Sequence, residues 1–241
     1  MPIEISEAPQ IAVAPAQADW QRLAALIDHT LLKPESTAAE VQQLCREAAE
    51  YGFACVMVNP TYIPLAASLL AGTGVRIGSV VGFPFGANTT TVKRYEALDA
   101  VRMGAREVDM VMNIGALKSG DRVRVQADMS GLAEIAHDNN AILKITIETA
   151  LLSLEEKILA CQLAVAAGAD FVKSSTGFSR AGAVPADISL MRGVVGDKLG
   201  VKASGGIRTF EDTQTMIEAG ASRIGTSSGV SIVEFARANS E

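Results

Sequence analysis

Four ionisable residues sit within short, largely apolar runs of this 241-residue chain. Asp109 lies in Glu107–Asn113, Lys144 in Ala141–Glu148, Lys173 in Phe171–Ser175 and Lys202 in Val201–Ser204. A free lysine has a pKa near 10.4, so at pH 7 only about 0.04% of it is nucleophilic amine. Burial and a second ammonium nearby both favour the neutral form. Bringing the pKa to about 7 needs roughly 4.6 kcal/mol of differential destabilisation. Two lysines close together in a dry site can supply that. The neutral amine attacks a carbonyl, and the resulting iminium withdraws electrons from the adjacent carbon. A carboxylate such as Asp109 can move protons while the carbinolamine forms and loses water. Schiff-base carbon–carbon chemistry of this kind uses neither metal nor cofactor. With only His29 and His137 in the chain, a three-histidine metal site is almost excluded.

The segments that must position these residues alternate regularly. Leu26–Leu31, Phe53–Val58, Val75–Val81, Glu107–Asn113, Ala141–Glu148, Phe171–Ser175, Val201–Ser204 and Arg223–Thr226 read as strands. Helical patterns follow them over Ser36–Ala49, Pro60–Leu70, Thr91–Met103, Arg122–Ala136, Ser153–Ala167, Ala186–Leu199, Phe210–Ala219 and Gly229–Ala238. Met103-Gly104-Ala105, Ala167-Gly168-Ala169 and Ala219-Gly220-Ala221 repeat one punctuation, with glycine supplying the turn past each helix end. Eight such units predict an α/β fold, a single-domain (β/α)8 barrel over residues 20–241. An open doubly wound sheet is the alternative, but no GxGxxG follows any strand. Pro2, Pro9 and Pro15 mark residues 1–19 as an extended leader, expected to be poorly ordered.

Within these strands, polarity alternates with period two. Leu143, Ile145 and Ile147 oppose Lys144, Thr146 and Glu148, and Val201 and Ala203 oppose Lys202 and Ser204. Helices should cover the apolar face, so the polar residues point into the barrel. Barrel interiors are normally filled with branched apolar side chains. The competing reading is a buried ion network, or lysines whose heads escape to the rim. Four such residues on consecutive strands point instead to catalysis, because burying one ammonium beside another is costly.

The strand ends add a second signal. Ser175-Thr176-Gly177, Ser204-Gly205-Gly206 and Thr226-Ser227-Ser228-Gly229 follow the sixth, seventh and eighth strands. Glycines let backbone N–H groups approach an anion, hydroxyls add donors, and a helix starting at Gly229 adds its positive end. A phosphate handle is the expected ligand group there. The formal charge of −6 argues against a nucleic-acid partner. No apolar run approaches the roughly 18 residues that span a bilayer, and residues 1–20 lack the Lys or Arg of a secretory signal. Cys45, Cys55 and Cys161, odd in number and widely spaced, suggest reduced thiols and a cytoplasmic protein.

Two longer stretches carry a family likeness. Asp170-Phe171-Val172-Lys173-Ser174-Ser175-Thr176-Gly177-Phe178 and Val201-Lys202-Ala203-Ser204-Gly205-Gly206-Ile207-Arg208-Thr209 resemble the paired lysine motifs of deoxyribose-phosphate aldolase. Ile27-Asp28-His29-Thr30-Leu31-Leu32, Glu107-Val108-Asp109-Met110-Val111 and Ile142-Leu143-Lys144-Ile145 are similar to its other hallmark segments. The likeness runs from about Asp28 to Val233. It implies a class I aldolase that reversibly cleaves 2-deoxy-D-ribose 5-phosphate to D-glyceraldehyde 3-phosphate and acetaldehyde. By this resemblance Lys173 is the Schiff-base lysine, Lys202 the lysine that perturbs it, and Asp109 the proton-transfer group. Gly177, Gly205, Gly206, Ser227 and Ser228 match phosphate-binding positions, and Lys144 and Asp28 match further polar residues of the site. The tail Asn239-Ser240-Glu241 lacks the C-terminal Tyr of some members. The expected partners are a sugar phosphate and an aldehyde, with a homodimer left open. Another Schiff-base aldolase or transaldolase, or a non-catalytic sugar-phosphate-binding barrel, shares the same residue chemistry.

Overall fold

The structure is a computed structural model describing residues 20–239, so the leader assigned to 1–19 lies outside the described residues. In chain order the elements are α1 (Trp20–Ala24), β1 (Ile27–Leu31), α2 (Ala38–Tyr51), β2 (Cys55–Val58), α3 (Ile63–Leu69) and β3 (Arg76–Val81). Next come α4 (Thr90–Met103), β4 (Glu107–Val111), α5 (Ile114–Lys118), α6 (Arg122–Asp138), β5 (Ile142–Thr146) and α7 (Leu154–Ala166). The chain ends with β6 (Phe171–Lys173), α8 (Pro185–Val195), β7 (Gly200–Ser204), α9 (Phe210–Glu218), β8 (Arg223–Thr226) and α10 (Gly229–Ala238). Consecutive strands pair in parallel and β8 returns to β1, closing the barrel. This is the eight-unit barrel expected from the alternation.

Local sequence explains where the helices begin and end. Thr37 and Glu40 form a reciprocal capping box at the start of α2, as do Ser153 and Glu156 at α7 and Thr209 and Asp212 at α9. Gly104 ends α4 in the left-handed region. The outward residues of the strands, such as Val108, Met110, Leu143, Ile145, Val172 and Val201, are buried against the helices. Two short helices, α1 and α5, were not foreseen; at five residues each they carry too little periodicity to stand out. Strand β5 stops at Thr146 rather than Glu148, because Glu148 takes a left-handed backbone with φ 56°.

Register then sets the site. Asp109 pairs with Lys144, Thr146 with Lys173, and Lys173 with Lys202 across neighbouring strands. Asp28 on β1 lies opposite Gly225 on β8.

Candidate active site

Inside the barrel, Asp109 is the hub. Its Oδ2 lies 3.0 Å from Lys173 Nζ and 2.8 Å from Lys202 Nζ, and its Oδ1 lies 3.0 Å from Lys144 Nζ. Asp28 is a second hub. Its Oδ2 meets Lys202 Nζ at 2.5 Å and Lys144 Nζ at 2.8 Å, and Arg223 reaches its Oδ1 at 2.7 Å. All five residues of the Asp28–Asp109–Lys144–Lys173–Lys202 cluster are buried. The structure therefore brings together the catalytic candidates and both further polar residues named from the sequence.

The electrostatics separate Lys173 from its neighbours. Burial pushes the Lys173 amine down, Lys202 and Lys144 add to the effect, and Asp109 only partly opposes them, leaving a pKa of about 8. For Lys144 burial acts in the same direction, yet Asp109, Asp28 and Glu107 outweigh it and hold the ammonium well above its usual range. Burial would raise the Asp109 carboxyl, but Lys144, Lys202 and Lys173 keep it well below the usual carboxylate range. Asp28 is held down in the same way by Lys144, Lys202 and Arg223. At neutral pH the cluster thus contains two carboxylates, a firmly charged Lys144, and in Lys173 an amine within reach of deprotonation.

The phosphate candidates gather on the face formed by the C-terminal strand ends. Gly177 and Gly205 approach backbone to backbone: a Cβ on Gly205 would lie 3.5 Å from the Gly177 Cα and 3.0 Å from the Gly182 Cα. Gly177, Gly205 and Gly206 all take left-handed φ angles, which leaves these turns free of side-chain bulk. Ser227 and Ser228 line a cavity of about 360 Å³ with His29 and Glu47 at the start of α10. Ser228 N–H donates to Thr226 Oγ1 at 2.9 Å, and its side chain makes no capping bond to α10.

Several residues around the site were not singled out from the sequence. Glu107 Oε2 lies 2.5 Å from Lys144 Nζ, and Arg223 bridges Glu107 and Asp28. Glu107 shares the strand parity of Asp109, so alternation already carried its signal. Glu148 Oε2 accepts hydrogen bonds from Thr176 N–H at 3.1 Å and Thr176 Oγ1 at 2.6 Å, fixing the turn after β6 from the turn after β5. Phe83 meets Phe178 edge to face at 5.3 Å, joining the segments that follow β3 and β6. Asp28, Cys55 and Glu107 also bring ligand-type atoms within 4.8 Å of one another. Lys144, Lys202 and Arg223 already lie against those carboxylates, so a metal ion there would meet three positive groups.

The profile of the DeoC/LacD family of aldolases matches residues 22–234. The chain belongs to that family. This aldolase is 58% identical over 212 residues to the deoxyribose-phosphate aldolase of Bacillus subtilis (strain 168), covering 88% of this chain and 95% of the relative. It is 55% identical over 218 residues to the deoxyribose-phosphate aldolase of Geobacillus sp. (strain WCH70), covering 90% and 97% of the two chains. The tetrameric deoxyribose phosphate aldolase of Aeropyrum pernix superposes with a TM-score of 0.85 at 36% identity, covering 91% of this chain and 92% of that one. The aldolase is thus a carbon–carbon lyase built on a (β/α)8 barrel. Among its described residues, no helix is long and apolar enough to cross a membrane.

Proposed function

We propose that this aldolase reversibly cleaves 2-deoxy-D-ribose 5-phosphate through an imine on Lys173. One observation carries the reading: a buried amine with a pKa of about 8 shares a carboxylate oxygen with a second lysine. Neutral Lys173 Nζ adds to the C1 aldehyde of the open-chain sugar, giving a carbinolamine. Asp109 and Lys202 relay the proton that lets water leave, and an iminium forms. Removing the proton of the C3 hydroxyl breaks the C2–C3 bond and releases D-glyceraldehyde 3-phosphate, while the bonding pair passes to the iminium as an enamine. Protonation at C2 and hydrolysis then free acetaldehyde and regenerate the amine.

Gly177, Gly205, Gly206, Ser227 and Ser228 hold the 5-phosphate in this reading. Support comes from backbone turns open to an anion on the face where barrels of this kind bind phosphate. Buried free cysteines fit a reducing compartment such as the cytoplasm. The tetrameric Aeropyrum pernix relative supports self-association of this chain.

The test is to incubate the purified protein with 2-deoxy-D-ribose 5-phosphate and follow both products with coupled dehydrogenases. Both should appear in equal amounts at an unchanged rate in EDTA, and unphosphorylated deoxyribose should react far more slowly. A chelator-sensitive rate, or no acetaldehyde, overturns the reading.

A further inference from the structure

The N-terminal end of the barrel, away from the phosphate face, holds ions that the proposed reaction does not use. Glu107 is wholly buried at the start of β4 and receives Lys144 Nζ at 2.5 Å. Arg223 at the start of β8 lies 2.7 Å from Asp28 Oδ1 and 3.2 Å from Glu107 Oε2, with its guanidinium 5.2 Å from the Phe171 ring centre. Lys144 Nζ in turn touches Asp28 and Asp109. A continuous chain of ion pairs therefore runs from Arg223 through Glu107 and Lys144 to Asp109, and from Asp109 to Lys173.

Charge balance gives this chain a purpose. The interior carries three carboxylates, Asp28, Glu107 and Asp109. Against them stand Lys144, Lys202 and Arg223, which leaves Lys173 as a fourth cation. The interior is neutral only when Lys173 has lost its proton. Two other groups face the network. Cys55 on β2 is kept a neutral thiol, chiefly by burial and further by Glu107 and Asp28. Arg76 on β3 approaches Glu107 at 3.4 Å, but its side chain is 54% exposed and so largely screened by water.

We propose that Glu107 and Arg223 are positioning residues for the amine chemistry: from the N-terminal end of the barrel they fix Lys144 and the interior charge, and thereby set the pH at which Lys173 becomes a nucleophile. Their effects have opposite signs. Glu107→Gln removes a negative charge, so a protonated Lys173 becomes less tolerable and the amine frees at lower pH. Arg223→Met removes a positive charge, so a protonated Lys173 restores neutrality and the amine frees only at higher pH. A unit charge about 10–12 Å from an amine, acting through an effective dielectric near 20, should move the profile by about one pH unit, about tenfold at a fixed pH on the acid limb. The double variant regains balance and should return close to the parent.

This inference rests on Lys173 being the imine lysine, so the experiment reads that directly. The rate of borohydride trapping on Lys173 with 2-deoxy-D-ribose 5-phosphate is measured against pH for the parent, both single variants and the double. The expected result is a shift to lower pH for Glu107→Gln, a shift to higher pH for Arg223→Met, and cancellation in the double. If the parent forms no adduct on Lys173, the imine reading itself falls. If the adduct forms but both single profiles stay in place or move the same way, the assignment of Glu107 and Arg223 is wrong. A purely structural role predicts slower trapping at an unmoved pH and further loss in the double. Glu107→Gln is nearly isosteric and decides the matter alone if Arg223→Met does not fold.

Discussion

Lys173 and Lys202 contact the same oxygen of Asp109, and under the proposed function that shared contact separates a nucleophile from the charge that tunes it. With Lys173 at about pKa 8, about 9% of it is neutral at pH 7. Replacing Lys202→Leu removes a nearby cation and leaves Asp109 to Lys173, and both changes raise the amine toward its reference value. The neutral fraction then falls toward about 0.04%, so the rate at pH 7 should drop by up to about 200-fold and recover in part above pH 9. A pH–rate profile checks this; a folded variant inactive at every pH would make Lys202 an essential proton donor instead. Asp109, Lys144, Lys173 and Lys202 were legible as a set because each interrupts an apolar run with period two. Arg223 was not, since its partners Asp28 and Glu107 lie 195 and 116 positions away in the chain and no local pattern links them.

Strand β8 shows how an element makes room for a buried side chain of its neighbour. Gly225 faces Ser204 and Lys202 on β7, and a Cβ there would stand 2.9 Å from Ser204 Cβ and 3.0 Å from Lys202 Cε. Gly225→Ala should therefore push Lys202 off Asp109. The expected result is a stability loss of about 1–3 kcal/mol from overpacking, together with an acid limb displaced to higher pH as in Lys202→Leu. Urea unfolding combined with the pH–rate profile checks both; an unmoved acid limb would show that Lys202 is held by other contacts. Glycine punctuation made the eight units readable, while their ends were not. Glu148 leaves β5 early by adopting a positive φ that its sequence neighbours do not signal. The bond from Glu148 to Thr176 joins two loops only once the barrel has closed.

Across the whole molecule, burying Lys173 is a stability cost that depends on pH. Its folded value of about 8 lies below the unfolded value of 10.5. Below pH 8 both states hold the proton and the folded state carries the full penalty of a buried ammonium. Between 8 and 10.5 the unfolded chain binds more protons, so stability rises with pH; above that window the penalty is gone. The relief amounts to roughly 3 kcal/mol. Relative to a Lys173→Met variant, the parent should gain that much between pH 7.5 and 10.5 in paired urea titrations, in which the other charges of the molecule largely cancel. A difference independent of pH would mean that Lys173 is not depressed in the fold. The barrel itself was legible because its alternation is a property of the entire chain. The ion network was only half legible, because alternation marks each buried charge but not its partners on distant strands.

The most direct measurement is mass spectrometry of the protein after borohydride reduction in the presence of 2-deoxy-D-ribose 5-phosphate. The peptide carrying Lys173 should gain the mass of the sugar phosphate less one oxygen, or an ethyl group where cleavage precedes reduction, and EDTA should not diminish the yield. A label on Lys144 or Lys202 with none on Lys173, or no label while substrate is being turned over, would contradict the account.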